Sequence, residues 1–193
     1  MKKTGWIILG VIVVLVLWVF SGYNGMVSEQ EAATTELSNM QAQYQRRADM
    51  MPQLAKIVKA YAKHEKETFE EVTKARASVG QVKLDVNNLT EATMKQYAAA
   101  QGELANAFSK LMLVAERYPE LKASENFKAL QVQEEGTENR ISEARRKYNE
   151  AVQSYNQPVR KMPNAIIAGL FHFNVMPKFE AAAGAEKAPD LDI

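Results

Sequence analysis

From Thr4 to Ser28 the chain carries no charge, and the centre of that stretch, WIILGVIVVLVLWVF, is apolar without interruption. Spanning the hydrocarbon of a bilayer takes about 20 helical residues, so residues 4–24 are expected to form a transmembrane helix. Downstream the pattern changes to apolar residues recurring every third or fourth position, which places them on one helix face. Met26, Ala33, Leu37, Met40, Tyr44, Met51, Leu54, Val58, Tyr61, Val72 and Ala75 fall on one such register, with Pro52 in its middle. Proline removes a backbone hydrogen bond and crowds the preceding turn. One long helix kinked near Pro52 is therefore predicted, the alternative being a true turn with Asp49 as N-cap of a new helix.

Residues 78–89 lose the period and hold Gly80, Asp85, Asn87 and Asn88, which predicts a loop. Thr90 then caps a second helix with the seam Met94, Tyr97, Gln101, Leu104, Phe108, Leu111 and Ala115, and Pro119 falls in the next connection. Ser124 caps a third helix with the seam Phe127, Leu130, Glu134, Thr137, Ile141, Ala144, Tyr148, Ala151 and Tyr155, which should end before Pro158. Short connections between long helices make neighbours antiparallel. The expected fold is all-α: an up-and-down bundle of long antiparallel helices, the first kinked near Pro52, behind an N-terminal transmembrane helix. The segments read as a cytoplasmic N-terminus at 1–3, an anchor at 4–24, the bundle at 25–157, a C-terminal short-helix strap at 158–183 and a polar tail at 184–193.

Lys2 and Lys3 ahead of the apolar run also describe a signal peptide. No A-x-A-like site follows, the run is longer than a typical signal core, and Trp6, Trp18, Phe20 and Tyr23 sit where an interfacial aromatic belt would anchor a span. A retained single-pass anchor is expected. The two lysines precede it and no Lys or Arg follows until Arg46, so the positive-inside rule puts the bundle outside the cytoplasm, at the bacterial inner membrane and facing the periplasm. The absence of cysteine is neutral, since a helical domain of this size needs no disulfide in either compartment.

Chemistry is sparse. Lys and Arg number 24 against 23 Asp and Glu, without the concentrated basic stripe of a nucleic-acid surface. Neither histidine, His64 nor His172, begins an H-E-x-x-H motif or ends the Glu-x-x-His repeat of bundle metal sites. No phosphate loop or nucleophile elbow occurs, so no enzyme, metal or cofactor is expected. The densest charge lies in EEGTENRISEARRKYNEAVQSYN, residues 134–156. With Ile141, Ala144, Tyr148, Ala151 and Tyr155 facing the core, most of that charge becomes a solvated face with partners such as Glu143 and Lys147. Glu134 and Thr137 are the exceptions, polar residues on the seam. Levelling the helices across their connections makes Tyr61 and Lys59 the candidate partners of Glu134, in a contact that sets helix register rather than catalyses.

The segment PNAIIAGLFHFNVMPKFE brings Ile166, Ile167, Leu170, Phe171, Phe173 and Phe179 together. These either cover the open face of the bundle or dock on another subunit or the bilayer interface. If the first helix is continuous, residues 24–48 form a stalk with the strap at its far end; if the chain reverses at Pro52, the strap comes back to the lipid.

The stretches RRADMMPQLAKIVKAYAKHE (46–65), VTKARA (72–77), ERYPELKASENFKALQVQEEGTENRISEARRKYNEAVQSYN (116–156) and PNAIIAGLFHF (163–173) closely resemble signatures of the LemA family. The resemblance covers most of the chain. It implies a bacterial membrane protein with one N-terminal span and a helical bundle, without catalytic residues to carry over, and a family relative that takes part in forming the magnetosome membrane points to membrane organisation. The expected function is a membrane-anchored, non-enzymatic scaffold that self-associates as a homo-oligomer in contact with the lipid bilayer. The alternative is an adaptor or sensor accessory binding another envelope protein.

Overall fold

The computed structural model describes residues 2–86 and 89–180. The expected polar tail at 184–193 lies outside them. Among the described residues the chain is helical without strands: α1 (Lys2–Tyr61), α2 (Lys66–Gln81), α3 (Glu91–Glu116), α4 (Pro119–Ala123), α5 (Glu125–Arg160) and α6 (Asn164–Leu170).

Helix α1 runs 60 residues through Pro52 without a break. The reversal lies ten residues later, at 62–65, where the seam is interrupted by Lys63, His64 and Glu65 and α2 begins. This corrects the expectation that one helix carries the seam from Met26 to Ala75. Ala75 and Val72 do sit in the core, but on α2, which runs back down α1: Arg76 lies 4.0 Å from Asp49, and Gln41 Nε2 donates to the Leu84 carbonyl at 3.0 Å. Because α2 supplies this return pass, α3 rises parallel to α1. Its start is fixed by Thr90 and Thr93, whose side chains each bond the other's backbone N–H, satisfying two orphan donors of the first turn. Lys110–Glu71 and Arg117–Glu65 ion pairs, at 2.6 and 3.0 Å, hold α3 antiparallel to α2.

After α4, with Pro119 in its first turn, α5 descends the full length of the bundle in its most extensive pairing, with α1. It passes Pro158 and ends at Arg160, three residues beyond the expected stop at 157. The proline sits in the last turn, so it costs one hydrogen bond near an end that is already under-bonded. The strap therefore returns to the end of the bundle where the span emerges, with Tyr23 edge-on to Phe171 and Phe173 at 4.9 and 5.5 Å between centroids. A continuous first helix and a strap that returns to Tyr23 coexist because the bundle has one more pass than the sequence seams showed. Residues 24–48 are for the same reason no free stalk: Met26, Ala33, Leu37, Met40 and Tyr44 are all buried.

Two apolar cores result. The one nearer the span joins Met26 to Tyr44 of α1 with Met94, Tyr97, the second half of α5 and the strap residues Ile167, Ala168, Met176 and Phe179. The distal one joins Ala48 to Ala62 with α2, the rest of α3, Leu121 and Phe127.

Candidate functional site

Between the two cores lies a buried polar layer centred on Arg47, whose side chain is 2% exposed. A buried guanidinium is costly unless paired and bonded. Here Nη1 donates to Glu138 Oε1 at 2.5 Å, and Nη2 donates to the Gln101 carbonyl at 2.8 Å and to Gln101 Oε1 at 3.0 Å. Its carbon stands 5.3 Å from the centre of the Tyr44 ring, which also receives Arg145 at 5.4 Å. Arg145 Nε donates to the Tyr44 hydroxyl at 2.6 Å. Burial raises the pKa of Tyr44, against the opposing pull of Arg145, and burial raises that of Tyr97 as well. Both phenols thus stay protonated.

Glu134 and Thr137, the polar residues on the α5 seam, are buried at 4% and 0% exposure. Thr137 Oγ1 donates to the Gln133 carbonyl at 2.8 Å and touches Met50 Sδ at 3.8 Å. Glu134 faces Met50, Met51, Leu54, Phe108 and Leu130 around a space of about 10 Å³, room for one water at most. Burial, then the neighbouring Glu138 carboxylate, push its carboxyl up to about 7, with Arg47 pulling the other way. The structure does not bring Tyr61 or Lys59 to this group. Tyr61 is 43% exposed, and Lys59 Nζ lies 6.0 Å from the Phe69 ring centre. Levelling α3 against α1 as antiparallel neighbours put Glu134 opposite Lys59 to Tyr61, too far along α1; with α2 as the return pass, the facing turn is that of Met50 to Leu54.

The remaining charge of residues 134–156 is solvated. Arg146 bridges Glu143 and Glu150 at 2.6 Å each, and Lys147 reaches Glu143 at 3.8 Å. The Arg146 pairing lowers the Glu143 carboxyl below its ordinary range. His64 and His172 are both exposed, and among the described residues no group of three His, Cys, Asp or Glu is placed to hold a metal.

The same segment has a second role that seam counting missed. Two Tyr-Asn pairs, seven residues apart, clamp the strap. Tyr148 and Tyr155 hydroxyls donate to the Pro177 and Asn174 carbonyls, each at 2.8 Å. Asn149 and Asn156 each pair with both the N–H and the C=O of one strap residue, Phe179 and Met176 respectively. Seven helical residues rise about 10 Å, as do three extended ones, so the repeat on α5 matches the step from 176 to 179. The recurring Tyr-Asn spacing was the available signal.

Of the strap residues named from sequence, Ile167 and Phe179 are buried and Phe173 is half-buried, while Ile166, Leu170 and Phe171 are exposed. In the apolar run Trp6, Phe20 and Tyr23 are exposed, whereas Trp18 packs against the edge of the nearer core.

The chain is similar to the magnetosome protein MamQ of Magnetospirillum gryphiswaldense, 27% identical over 180 residues that cover 84% of this chain and 66% of that protein. It is likewise similar to MamQ 2 and MamQ 1 of Paramagnetospirillum magneticum, 25% identical over 175 residues covering 82% of this chain and 64% of each. The match thus spans a little under two thirds of the length of these relatives. Together with one helix long and apolar enough to cross a membrane, this similarity marks a membrane protein. The family profile matches residues 36–192, from the membrane-proximal part of α1 to the end of the strap and beyond, and the chain belongs to the LemA family.

Proposed function

We propose that this protein is a membrane-anchored, non-enzymatic helical scaffold that self-associates and organises the bilayer it is embedded in. One observation carries the reading: α1 is a single helix from Lys2 to Tyr61, so the span and the longest element of the bundle are one rod. Force or orientation imposed on the bundle passes to the span without a flexible linker. The polar layer supports the non-enzymatic part: Arg47 is engaged by Glu138 and Gln101, and the space beside Glu134 is about 10 Å³, with no room for a substrate. Lys2 and Lys3 before the span, with no basic residue until Arg46 after it, support a periplasmic bundle at the inner membrane. The relatives named as magnetosome proteins support a role at a membrane.

Self-association is tested by mass measurement of the full-length chain in lipid nanodiscs across protein-to-lipid ratios. Discrete assemblies of several copies are expected; a monomer at every ratio removes the scaffold reading. A second reading, an adaptor for another envelope protein, is favoured by Leu113 and Val132, apolar side chains 67% and 70% exposed and remote from the strap. A stoichiometric partner recovered by cross-linking in cells, lost in Leu113→Ser and Val132→Ser, would support it over self-assembly.

A further inference from the structure

Helix α6 has two faces. Ile167 and Ala168 turn inward and are 2% exposed each, while Ile166, Leu170 and the adjoining Phe171 are 59%, 68% and 45% exposed, with Met162 at 71% just before them. An apolar set this concentrated is not left to water without a reason. Its level along α1 identifies what meets it. A Cβ built on Gly22 would lie 2.7 Å from Ile167 Cδ1. Tyr23 packs against Phe171 and Phe173, and Trp18 and Val19 pack against the same core. All of these α1 positions fall inside the uncharged run, and Trp18 lies about 7 Å deeper than Tyr23 along the helix axis. If residues 4–24 fill the roughly 30 Å of hydrocarbon, the bilayer surface lies at the level of α6.

Cationic groups stand where phosphates would follow. Arg160 and Lys161, both exposed, end α5 immediately before α6. With Lys178, Gln153, Asn156 and Gln157 they line an open cleft of about 420 Å³, which extends from Arg160 back along α5 by about 10 Å to Gln153. Apolar side chains below and guanidinium and ammonium groups above reproduce the order of acyl chain and headgroup.

We propose that α6 and its flanks form a second membrane contact, in which Met162, Ile166, Leu170 and Phe171 immerse in the leaflet where the span ends and Arg160 and Lys161 meet the phosphates of anionic lipids. The bundle is then held at two points and cannot swivel about α1. A wedge of apolar side chains in one leaflet alone also expands that leaflet, which gives the scaffold a means of bending the bilayer. The inference rests on residues 4–24 crossing a membrane and not on self-association.

The chain has no cysteine, so single-cysteine variants of the full-length protein report cleanly. Ile166→Cys, Leu170→Cys, a span control Val14→Cys and a water control Val132→Cys are labelled with an environment-sensitive fluorophore. They are then placed in vesicles of mixed phosphatidylcholine and phosphatidylglycerol containing shallow doxyl-labelled lipid. Quenching at 166 and 170 should exceed that at 132 severalfold. Quenching at 166 and 170 no greater than at 132, with 14 quenched, overturns the second contact and leaves the span standing; an unquenched 14 overturns both. Protection at 166 and 170 that disappears on dilution into excess lipid means that a second copy covers the face, which also overturns the proposal. Arg160→Gln with Lys161→Gln should reduce quenching at 170 in the mixed vesicles and not in phosphatidylcholine alone, and an equal effect in both contradicts the phosphate contact.

Discussion

Asn149 and Phe179 bond each other twice: Asn149 Nδ2 donates to the Phe179 carbonyl at 3.0 Å, and Asn149 Oδ1 accepts the Phe179 N–H at 2.8 Å. The amide thereby takes the place of a neighbouring β-strand for a strap that has none. Asn149→Ala leaves a donor and an acceptor of the strap backbone unpaired, at a cost of about 1–3 kcal/mol. Hydrogen exchange of amides 174–179 should accelerate at least tenfold while α2 and α3 keep their protection. Uniform loss of protection would mean instead that the strap and the bundle unfold as one unit.

Glu134 predicts how stability depends on pH. Its folded-state pKa of about 7 lies above the ordinary 4.5, so the folded protein binds the proton more tightly than the unfolded one. Its contribution to stability is fullest below pH 4.5, falls as pH rises toward 7, and is constant above that. Melting curves of the full-length chain in detergent should show Glu134→Gln flattening this decline, by on the order of 2 kcal/mol between the two ends. Glu134→Leu should fold and gain stability mainly at high pH; failure of the Leu variant to fold would show that the polar seam is required.

At Gly22 size decides the outcome. A methyl group presses on the tip of Ile167 and otherwise makes ordinary contact with the Asn164 side chain at 3.4 Å; a rotamer change of Ile167 accommodates it, so Gly22→Ala should leave the strap in place. Gly22→Leu cannot be absorbed that way and should lift α6 from α1. Trypsin cleavage at Lys161 and Lys178 reads this directly, with the Leu variant cut several times faster than the Ala variant.

His172 has a positive φ of 59°, the left-handed position after a helix, and the Phe173 N–H closes the end of α6 on the Ala168 carbonyl at 2.9 Å. A Cβ in this conformation costs about 1 kcal/mol. His172→Gly should therefore raise strap stability by up to about that amount, and His172→Val should lower it by more, both visible as opposite shifts in exchange at 173–176.

The seams made most of the fold legible. Apolar period placed Met26 to Val58, Met94 to Ala115 and Phe127 to Tyr155 on core faces, and the capping signal of Thr90 marked a true helix start. The break at 62–65 stayed hidden because Val72 and Ala75 resume the α1 period after a whole number of turns, while Pro52 offered a more conspicuous break that α1 passes through. Arg47 was hidden for a related reason. It occupies the seam position that the apolar set skips between Tyr44 and Met51, and a guanidinium is read as surface unless its partners are known, which here come from α3 and α5. Glu134 and Thr137 stood out because their own position was anomalous, but their neighbours depended on the number of passes.

The central claim is that one unbroken helix carries the span into the bundle. Spin labels at Leu15 and Thr35, both exposed on α1, measure it by double electron–electron resonance on the full-length chain in vesicles. A helix without a hinge predicts a narrow distribution near 30 Å; a broad distribution, or one centred well below that distance, contradicts the account.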